Sequence, residues 1–363
     1  MISQRALSVD SSGIRRVFDL AGQLKDPVNL SIGQPDFEPA EIIRRGAIEA
    51  VEGKKNGYTV TQGIQPLRDE IAGAYGISEQ DDLSVFLTSG VSGGLMLAYL
   101  TLLDPGDEIL IPDPFFCMYR DQALLLNAVP TYYDTHPDFK ISVEELARRV
   151  TSRTKAILVS SPGNPTGATL TQSELDDVID FAKSRGIWIL YDEIYSAFCY
   201  DAPHASAFKR YEKTIILNGF SKSHGVPGWR IGYAIGPKEV VQQMLKLQQY
   251  SFVCAPSITQ WGILAGMKMD FAAQLEEYRR KRDFIVGALK GVYNFVCPGG
   301  AFYLYPEAPG GGGQSFVERC IENNLLVVPG NVFSRKDSHF RISFSAPMLQ
   351  LERGVEILLR LAR

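Results

Sequence analysis

A glycine-rich stretch in the second half of the chain, GFSKSHGVPGWRIGY, combines residue types that could do chemistry on a small molecule. It places Ser221 beside Lys222 and puts Arg230 eight residues beyond that lysine. A serine hydroxyl and an arginine guanidinium can bind an anion, and a lysine amine becomes a nucleophile when burial or a nearby cation lowers its pKa. The stretch therefore predicts a reactive amine beside an anion site, rather than a lysine in a solvated loop.

Polar residues also follow several apolar runs that predict buried strands. Asp192 comes directly after IWILY, Asn164 lies in the turn SPGNPTG, and Val91 and Ser92 follow VFLTSG at the start of a predicted helix. In open parallel sheets, ligands bind beyond the carboxyl ends of the strands. A carboxylate at that depth needs a cation or hydrogen-bond donors, and backbone amides at a helix start can hold a phosphate. The sequence thus predicts one site with a carboxylate, an anion cradle and an amine.

Pyridoxal phosphate carries the three groups that such a site would use: a basic ring nitrogen, a phosphate and an aldehyde. Lys222 would form a Schiff base with the aldehyde, and Asp192 would keep the ring nitrogen protonated. The protonated ring would then act as an electron sink.

The elements that must position these residues follow a repeating pattern. From about residue 82, five short apolar runs alternate with helical stretches and predict strands. This alternation indicates an α/β fold with a mostly parallel central sheet covered on both faces. Thr171 and Glu174 form a capping-box pattern at the start of one helix, Gly186 suits its end, and Ser142 and Glu145 repeat the start signal.

The length and a change of pattern predict two domains. A chain of 363 residues exceeds the usual size of a single core. After about residue 270 a long charged helix is followed by the strand-like segments GAFYLYP and FRISFS, which predict a smaller α+β domain. We predict a large domain over residues 41–282 and a discontinuous small domain made of residues 1–40 and 283–363.

Composition limits the kind of partner. The formal net charge of −4 gives no overall attraction to nucleic acid or to an anionic membrane. The start of the chain lacks the apolar core of a signal peptide, and GLMLAYLTLL is too short to span a bilayer. Five scattered cysteines and four histidines show neither disulfide nor metal-ligand spacing. A cytoplasmic protein that acts on a small molecule, without a metal, is the resulting prediction.

Seven motifs together resemble a known family along essentially the whole chain. They are SIGQPDF, GYTVTQGIQPLR, SPGNPTG, YDEIY, SKSHGVPGWRIGY, PGGAFYLYP and FRISFS, in that order. The order and the residues resemble the class I and II aminotransferases of fold-type I, in the branch that includes bacterial aspartate and aromatic aminotransferases. The resemblance implies a pyridoxal-phosphate enzyme of amino acid metabolism with a large domain, a smaller α+β domain and a homodimeric assembly.

The resemblance also implies roles around the cofactor. Lys222 matches the Schiff-base lysine that later moves a proton, and Asp192 matches the partner of the pyridine nitrogen. Tyr195 and Asn164 match donors to the ring's phenolate oxygen, and Phe116 matches the aromatic residue that stacks on the ring. The positions that match phosphate contacts are Ser221, Arg230, Val91 and Ser92.

For three further positions, the resemblance implies contacts with the substrate or with the neighbouring subunit. Arg341 resembles the arginine that binds the substrate's α-carboxylate, and Gly33 resembles the glycine whose backbone approaches it. Without the resemblance, Arg341 reads equally well as an exposed strand-end residue. Tyr58 matches a tyrosine that reaches the phosphate of the partner subunit's cofactor, which implies the homodimer.

The predicted reaction is a ping-pong transfer of an amino group from an L-amino acid to a 2-oxo acid. A β-lyase or decarboxylase on the same scaffold is the alternative, although β-lyase relatives commonly have histidine where this chain has Tyr195. A ligand-sensing module is a further alternative, disfavoured because the pattern begins too near the N-terminus to leave room for a DNA-binding domain. Some relatives have lysine at the position of Ser92, which here favours a neutral or aromatic donor over strict aspartate specificity. Arg15 and Arg16 lie in a segment that could approach the site.

Overall fold

The computed structural model of the chain describes residues 2–11, 13–14, 17, 22 and 24–362. Arg15 and Arg16 lie outside the described residues. The strands are β1 Val28–Asn29, β2 Leu83–Thr88, β3 Glu108–Asp113, β4 Val129–Asp134, β5 Thr154–Ser160, β6 Trp188–Asp192, β7 Thr214–Gly219, β8 Gly232–Pro237, β9 Tyr303–Leu304, β10 Leu325–Leu326, β11 Val328–Pro329 and β12 Phe340–Ser343. The α-helices are α1 Gln4–Leu7, α2 Glu41–Glu52, α3 Gln65–Ala74, α4 Gly90–Leu102, α5 Cys117–Leu125, α6 Val143–Arg149, α7 Gln172–Arg185, α8 Lys238–Ser251, α9 Ser257–Gly266, α10 Ala272–Leu289, α11 Gly313–Glu322 and α12 Met348–Leu361.

The central sheet has seven strands in the order β2-β8-β7-β6-β5-β3-β4. Strand β8 runs antiparallel to both β2 and β7, and every other neighbouring pair is parallel. The α/β fold with a mostly parallel sheet is therefore confirmed, and the five predicted strands are present as β2, β3, β5, β6 and β7. Strands β4 and β8 are additions that the sequence pattern had not indicated.

Burial on both faces explains why the central strands read as continuous apolar runs. In β5, Ile157 and Val159 belong to the core on one face of the sheet, whereas Ala156 and Leu158 belong to the core on the other face. Side chains of a strand point alternately to opposite faces, so a sheet covered on both sides needs apolar residues at every position. All six residues of β7 are buried, consistent with its place near the centre of the sheet.

The residues predicted to begin and end two helices do so in the structure, with one difference. Thr171 accepts a hydrogen bond from the Glu174 amide, the Glu174 carboxylate accepts one from the Thr171 amide, and Gly186 ends α7 with a left-handed φ of 66°. Ser142 likewise accepts from the Glu145 amide at the start of α6. The Glu145 carboxylate, however, pairs with two arginines of its own helix instead of returning to Ser142, so the second capping box is only half formed.

Two smaller sheets and a separate core are built mainly from the C-terminal part of the chain. Strands β11, β12 and β9 form an antiparallel sheet, and β1 pairs in parallel with β10. The N-terminal β1 therefore packs with C-terminal elements. The predicted boundary between the large and the small domain, at residues 282 and 283, falls within helix α10, which is continuous there. This boundary stays a prediction.

Across the described residues, no helix is both long enough and apolar enough to cross a membrane. In the same part of the chain, no three histidine, cysteine or acidic residues lie where they could hold a metal ion together.

Candidate active site

A cavity of about 740 Å³ lies where the central sheet meets the C-terminal elements. Its lining includes eleven of the residues that the sequence pointed to, namely Gly33, Val91, Ser92, Phe116, Asn164, Asp192, Tyr195, Ser221, Lys222, Arg230 and Arg341. Nine of them lie at or beyond the carboxyl ends of β2, β3, β5, β6 and β7, because parallel strands bring these ends to one edge of the sheet. Gly33 follows β1, and Arg341 lies on β12 of a smaller, antiparallel sheet. Tyr58 is outside this lining and is 86% exposed.

The amine of Lys222 lies deep in the cavity, three residues beyond the end of β7. Its Nζ donates to the Gly33 carbonyl oxygen at 2.6 Å. Burial of the amine is the main cause that lowers its pKa to about 8, and the positive charges of Arg341 and Arg230 lower it further. The Asp192 carboxylate opposes the shift. The side chain itself is only half-buried because the cavity reaches it, so the amine is both accessible and partly deprotonated near neutral pH.

Asp192 ends β6 as a buried carboxylate held by two donors. Its Oδ1 accepts from the Ile194 amide at 3.0 Å, and its Oδ2 accepts from the Tyr119 hydroxyl at 2.8 Å. Burial raises its pKa to about 6, against the lowering effect of these two bonds and of Lys222. In the described part of the chain no basic side chain forms an ion pair with Asp192. The negative charge of this carboxylate is therefore available to pair with a cationic ligand.

Arg341 lies on β12 and is 1% exposed, so the reading of this residue as an exposed strand-end arginine is wrong. Its Nη1 donates to Asn164 Oδ1 at 3.0 Å and its Nη2 donates to the Ser31 carbonyl oxygen at 2.6 Å. The buried Nε has no hydrogen-bond partner, and the guanidinium lies 4.6 Å from the centroids of the Tyr303 and Phe333 rings. A buried cation with neutral partners only is costly unless an anionic ligand approaches it.

A second anion cradle lies at the start of α4. Arg230 places its Nη2 3.4 Å from Ser92 Oγ and 3.3 Å from the Ser89 carbonyl oxygen. The first backbone amides of a helix have no partner within the helix, and its dipole favours a negative charge there. Gly90 makes the approach possible, because a Cβ at this position would lie 2.5 Å from Arg230 Nη2. Together with the buried Ser221, these groups suit a phosphate.

Two tyrosines in the lining are not among the site residues that the sequence predicted. Tyr119 donates to Asp192, and Tyr303 lies 2.7 Å from Tyr195, oxygen to oxygen. Both are buried and both line the cavity. The one local signal for Tyr119 was its position three residues after Phe116, which puts both near the start of one helix. For Tyr303 no local signal existed, because its partner is more than one hundred residues away in the chain.

The comparisons with known proteins agree with this geometry. The family model "Aminotransferase class I and II" matches residues 25–358. A probable aspartate aminotransferase of Methanocaldococcus jannaschii is 33% identical, with 99% of each chain covered, and an aromatic-amino-acid aminotransferase of Thermococcus litoralis is 33% identical, with 98% of this chain and 96% of the relative covered. Among solved structures, the aspartate aminotransferase of Thermus thermophilus with maleate superimposes with a TM-score of 0.95 at 30% identity and 99% coverage of both chains.

The chain belongs to the class I and II aminotransferase family. It has the fold of the aspartate aminotransferases, and it is a pyridoxal-phosphate-dependent aminotransferase.

The residues present fit pyridoxal phosphate. The cofactor offers a phosphate, a ring nitrogen that carries a proton and an aldehyde. The Arg230 and α4 cradle suits the phosphate, the unpaired carboxylate of Asp192 suits a cationic nitrogen, and the lowered pKa of Lys222 suits attack on an aldehyde. Among the described residues, none of these charged groups forms an ion pair, so the donor set and the cofactor complement each other.

Proposed function

We propose that Lys222, Asp192 and Tyr195 carry out the amino transfer in this cavity, with an L-amino acid and a 2-oxo acid as successive substrates. The observation that carries the proposal is the low-pKa amine of Lys222 in one cavity with a buried carboxylate and a buried guanidinium that have no charged partners among the described residues. Such perturbed groups cluster at catalytic sites.

Pyridoxal phosphate, when bound, supplies an aldehyde that condenses with amines and a protonated ring that takes up an electron pair. Asp192 would hold the ring nitrogen in its protonated form. Asn164 and Tyr195 would donate to the ring's oxygen, and Phe116 would pack against the ring. The phosphate would be held by the groups Ser221, Arg230, Val91 and Ser92.

Lys222 would also move the proton on which the reaction depends. With its pKa at about 8, a fraction of the amine is neutral at pH 7 and can take the proton from the substrate's Cα. Its present partner, the Gly33 carbonyl oxygen, keeps Nζ inside the cavity. The same nitrogen can return a proton in the second half of the cycle.

The substrate's α-carboxylate would bind to Arg341. The guanidinium is fixed in orientation by Asn164 and Ser31, and aromatic rings lie on it, so it can bind a carboxylate with little loss of side-chain entropy. The backbone of Gly33 lies close to Tyr303, one of the rings on the guanidinium. A Cβ at position 33 would lie 2.5 Å from the Tyr303 hydroxyl.

We further propose a donor with a neutral, largely apolar side chain. The cavity extends along apolar side chains, namely Ile14, Ile32, Leu95, Met96, Met118 and Leu125. Among the described lining residues, the basic side chains are Lys222, Arg230 and Arg341, and each already has a proposed task. Asp121, which also lines the cavity, is paired with Arg120 at 2.7 Å and offers no positive charge to an acidic side chain.

A half-reaction with single L-amino acids tests both the reaction and the donor class. The protein is loaded with pyridoxal phosphate and mixed with phenylalanine, leucine or aspartate without an acceptor, and the cofactor is followed by absorbance and mass. We expect stoichiometric conversion to pyridoxamine phosphate with release of the 2-oxo acid, at least about tenfold faster for phenylalanine than for aspartate, since burial of a large apolar side chain contributes about 1.5 to 3 kcal/mol.

Lys222→Ala serves as the control and should convert none of the donors at a comparable rate. Unchanged cofactor with release of ammonia or carbon dioxide would point to a lyase or decarboxylase. Preference for aspartate would contradict the apolar donor class and leave the amino transfer intact.

We also propose a cytoplasmic homodimer in which Tyr58 reaches the partner's cavity. Tyr58 belongs to an exposed apolar surface that also includes Val60, Tyr250, Phe252 and Val253. Two buried glutamines join the parts of this surface: Gln248 donates to the Thr61 carbonyl oxygen, and Gln260 donates to Thr59 Oγ1. An exposed patch of large apolar side chains is typical of a protein interface.

Subunit mixing tests the role of Tyr58. Tyr58→Phe is expected to weaken pyridoxal-phosphate binding about tenfold, because a hydrogen bond to a charged phosphate is lost. Mixed dimers of Tyr58→Phe and Lys222→Ala chains should regain one site of wild-type affinity, measured by cofactor titration. Tyr250→Phe, on the same surface, is the control and should bind normally. Absence of recovery in the mixed dimers would show that Tyr58 acts in its own subunit or not at all.

A further inference from the structure

Tyr303 meets three residues of the proposed site although the family motifs gave it no role. It is the first residue of β9, pairs in register with Ser343 of β12, and is 1% exposed. Arg341 lies two residues before Ser343 and therefore on the same face of β12. Its ring centroid lies 4.6 Å from the Arg341 guanidinium carbon, and its hydroxyl lies against Gly33.

The hydroxyl of Tyr303 forms a hydrogen bond with the hydroxyl of Tyr195. The two oxygens are 2.7 Å apart, and the rings are nearly perpendicular at 83°. Each hydroxyl has one proton to donate and can accept from another donor. If Tyr195 donates to Tyr303, the only proton of Tyr195 is used. If Tyr303 donates, the Tyr195 proton is free to point elsewhere.

The surrounding charges favour Tyr303 as the donor. Burial raises the pKa of both hydroxyls, and it raises that of Tyr195 well above its ordinary value. The cation of Arg341 lowers the pKa of both hydroxyls and lies 4.6 Å from the centroid of the Tyr303 ring, whereas the Asp192 carboxylate raises the pKa of Tyr195 further. The more acidic hydroxyl of a pair is the better donor, and an acceptor oxygen in the cavity would stabilise the same arrangement further.

We propose that Tyr303 is a positioning residue whose hydroxyl donates to Tyr195 and directs the Tyr195 proton into the cavity, toward the ring oxygen of the cofactor. This inference rests on the proposed function, because it concerns the orientation of a residue within that site. Hydrogen bonds in such a chain polarise each other, so donation from Tyr303 makes Tyr195 a stronger donor.

The visible absorbance of the bound cofactor as a function of pH reports on this hydrogen bond. A Tyr195 hydroxyl that donates more weakly withdraws less electron density from the ring oxygen of the cofactor. That oxygen would then hold the proton that it shares with the Lys222 nitrogen more tightly. Tyr303→Phe should therefore shift the midpoint of the absorbance titration upward by about 0.4 to 1 pH unit, the equivalent of one net hydrogen bond. Tyr195→Phe should shift it further, and Tyr303→Phe should add nothing in the Tyr195→Phe background.

Tyr305→Phe is the matched control. Tyr305 is equally buried and lies two residues along the chain, but its hydroxyl donates to the Gly330 carbonyl oxygen instead of to the site. We expect its titration to match the wild type. Thermal unfolding of each variant, loaded with saturating cofactor, verifies that the proteins titrated are folded.

Two results would overturn the inference alone: a Tyr303→Phe midpoint equal to that of the wild type, or an equal shift in the presence and absence of Tyr195. The first would leave Tyr303 as a packing residue, and the second would show that Tyr303 affects the cofactor without Tyr195. A wild-type protein that takes up no cofactor, or a Lys222→Ala variant with the wild-type titration, would overturn the proposed function and this inference with it.

Discussion

Replacement of Lys222 by alanine is expected to reduce turnover about 10⁴-fold or more, while the protein stays folded and continues to bind pyridoxal phosphate without a covalent link. The variant loses the nucleophilic amine and the base that removes the Cα proton, and base catalysis alone contributes about 10² to 10⁴. Single-turnover kinetics with a large excess of amino acid donor measure the loss.

Lys213→Ala is the matched control, since Lys213 immediately precedes β7, whereas Lys222 follows its other end. Lys213 Nζ donates to the Gly186 carbonyl oxygen at the exposed side of the protein. Its loss should leave turnover unchanged. A Lys222→Ala variant that retains more than about a tenth of the wild-type rate would remove Lys222 from the mechanism, because a base contributes at least about 10².

The same lysine gives the reaction a pH dependence with a defined sign. Burial, together with Arg341 and Arg230, lowers the pKa of Lys222 to about 8, so the amine is mostly protonated at pH 7 and mostly neutral at pH 9. Only the neutral amine has a lone pair for attack. The rate at which cofactor-free protein attaches pyridoxal phosphate should therefore rise from pH 7 to 9 with a midpoint near 8, and a flat profile would contradict the assignment.

Asp192→Asn is expected to reduce turnover about 10³-fold with a much smaller loss of cofactor binding. The amide keeps the size of the side chain and can still accept a hydrogen bond from the Ile194 amide or from Tyr119, but it has no charge to hold a proton on the ring nitrogen. Removal of one preorganised electrostatic group in a buried site costs about 10² to 10³ in rate. Turnover is measured in the half-reaction, and binding by cofactor titration.

The cofactor-free Asp192→Asn protein should also be more stable than the wild type at pH 8. Burial raises the folded-state pKa of Asp192 from 3.8 to about 6, so the folded protein holds this proton more tightly than the unfolded chain. The wild type consequently loses stability as the pH rises from about 4 through 6, by about 3 kcal/mol in total. Urea unfolding at pH 8 without cofactor measures the difference, and near-normal turnover together with equal stability would contradict the role of Asp192.

Much of the fold was readable from local patterns. The five predicted strands of the central sheet are apolar at successive positions because both faces are covered, and the Thr171 capping box with the Gly186 stop defines α7 through contacts within four residues of each end. Strand β8 was harder to predict. Its sequence, GYAIGP, contains two glycines and a proline, and its antiparallel place between β2 and β7 depends on partners far along the chain.

The sequence by itself determined which residue types stand at the carboxyl ends of the strands, and this was enough to indicate an amine, a carboxylate and an anion cradle at one edge. Only the tertiary structure decided how these groups are held. Asp192 is held by Tyr119 from 73 residues away, Tyr195 meets Tyr303 from 108 residues away, and Arg341 is buried against Asn164. Local patterns do not predict such contacts, because each one depends on how distant elements pack. The same packing buries Lys222 and Asp192, and burial is the main cause of their shifted pKa values.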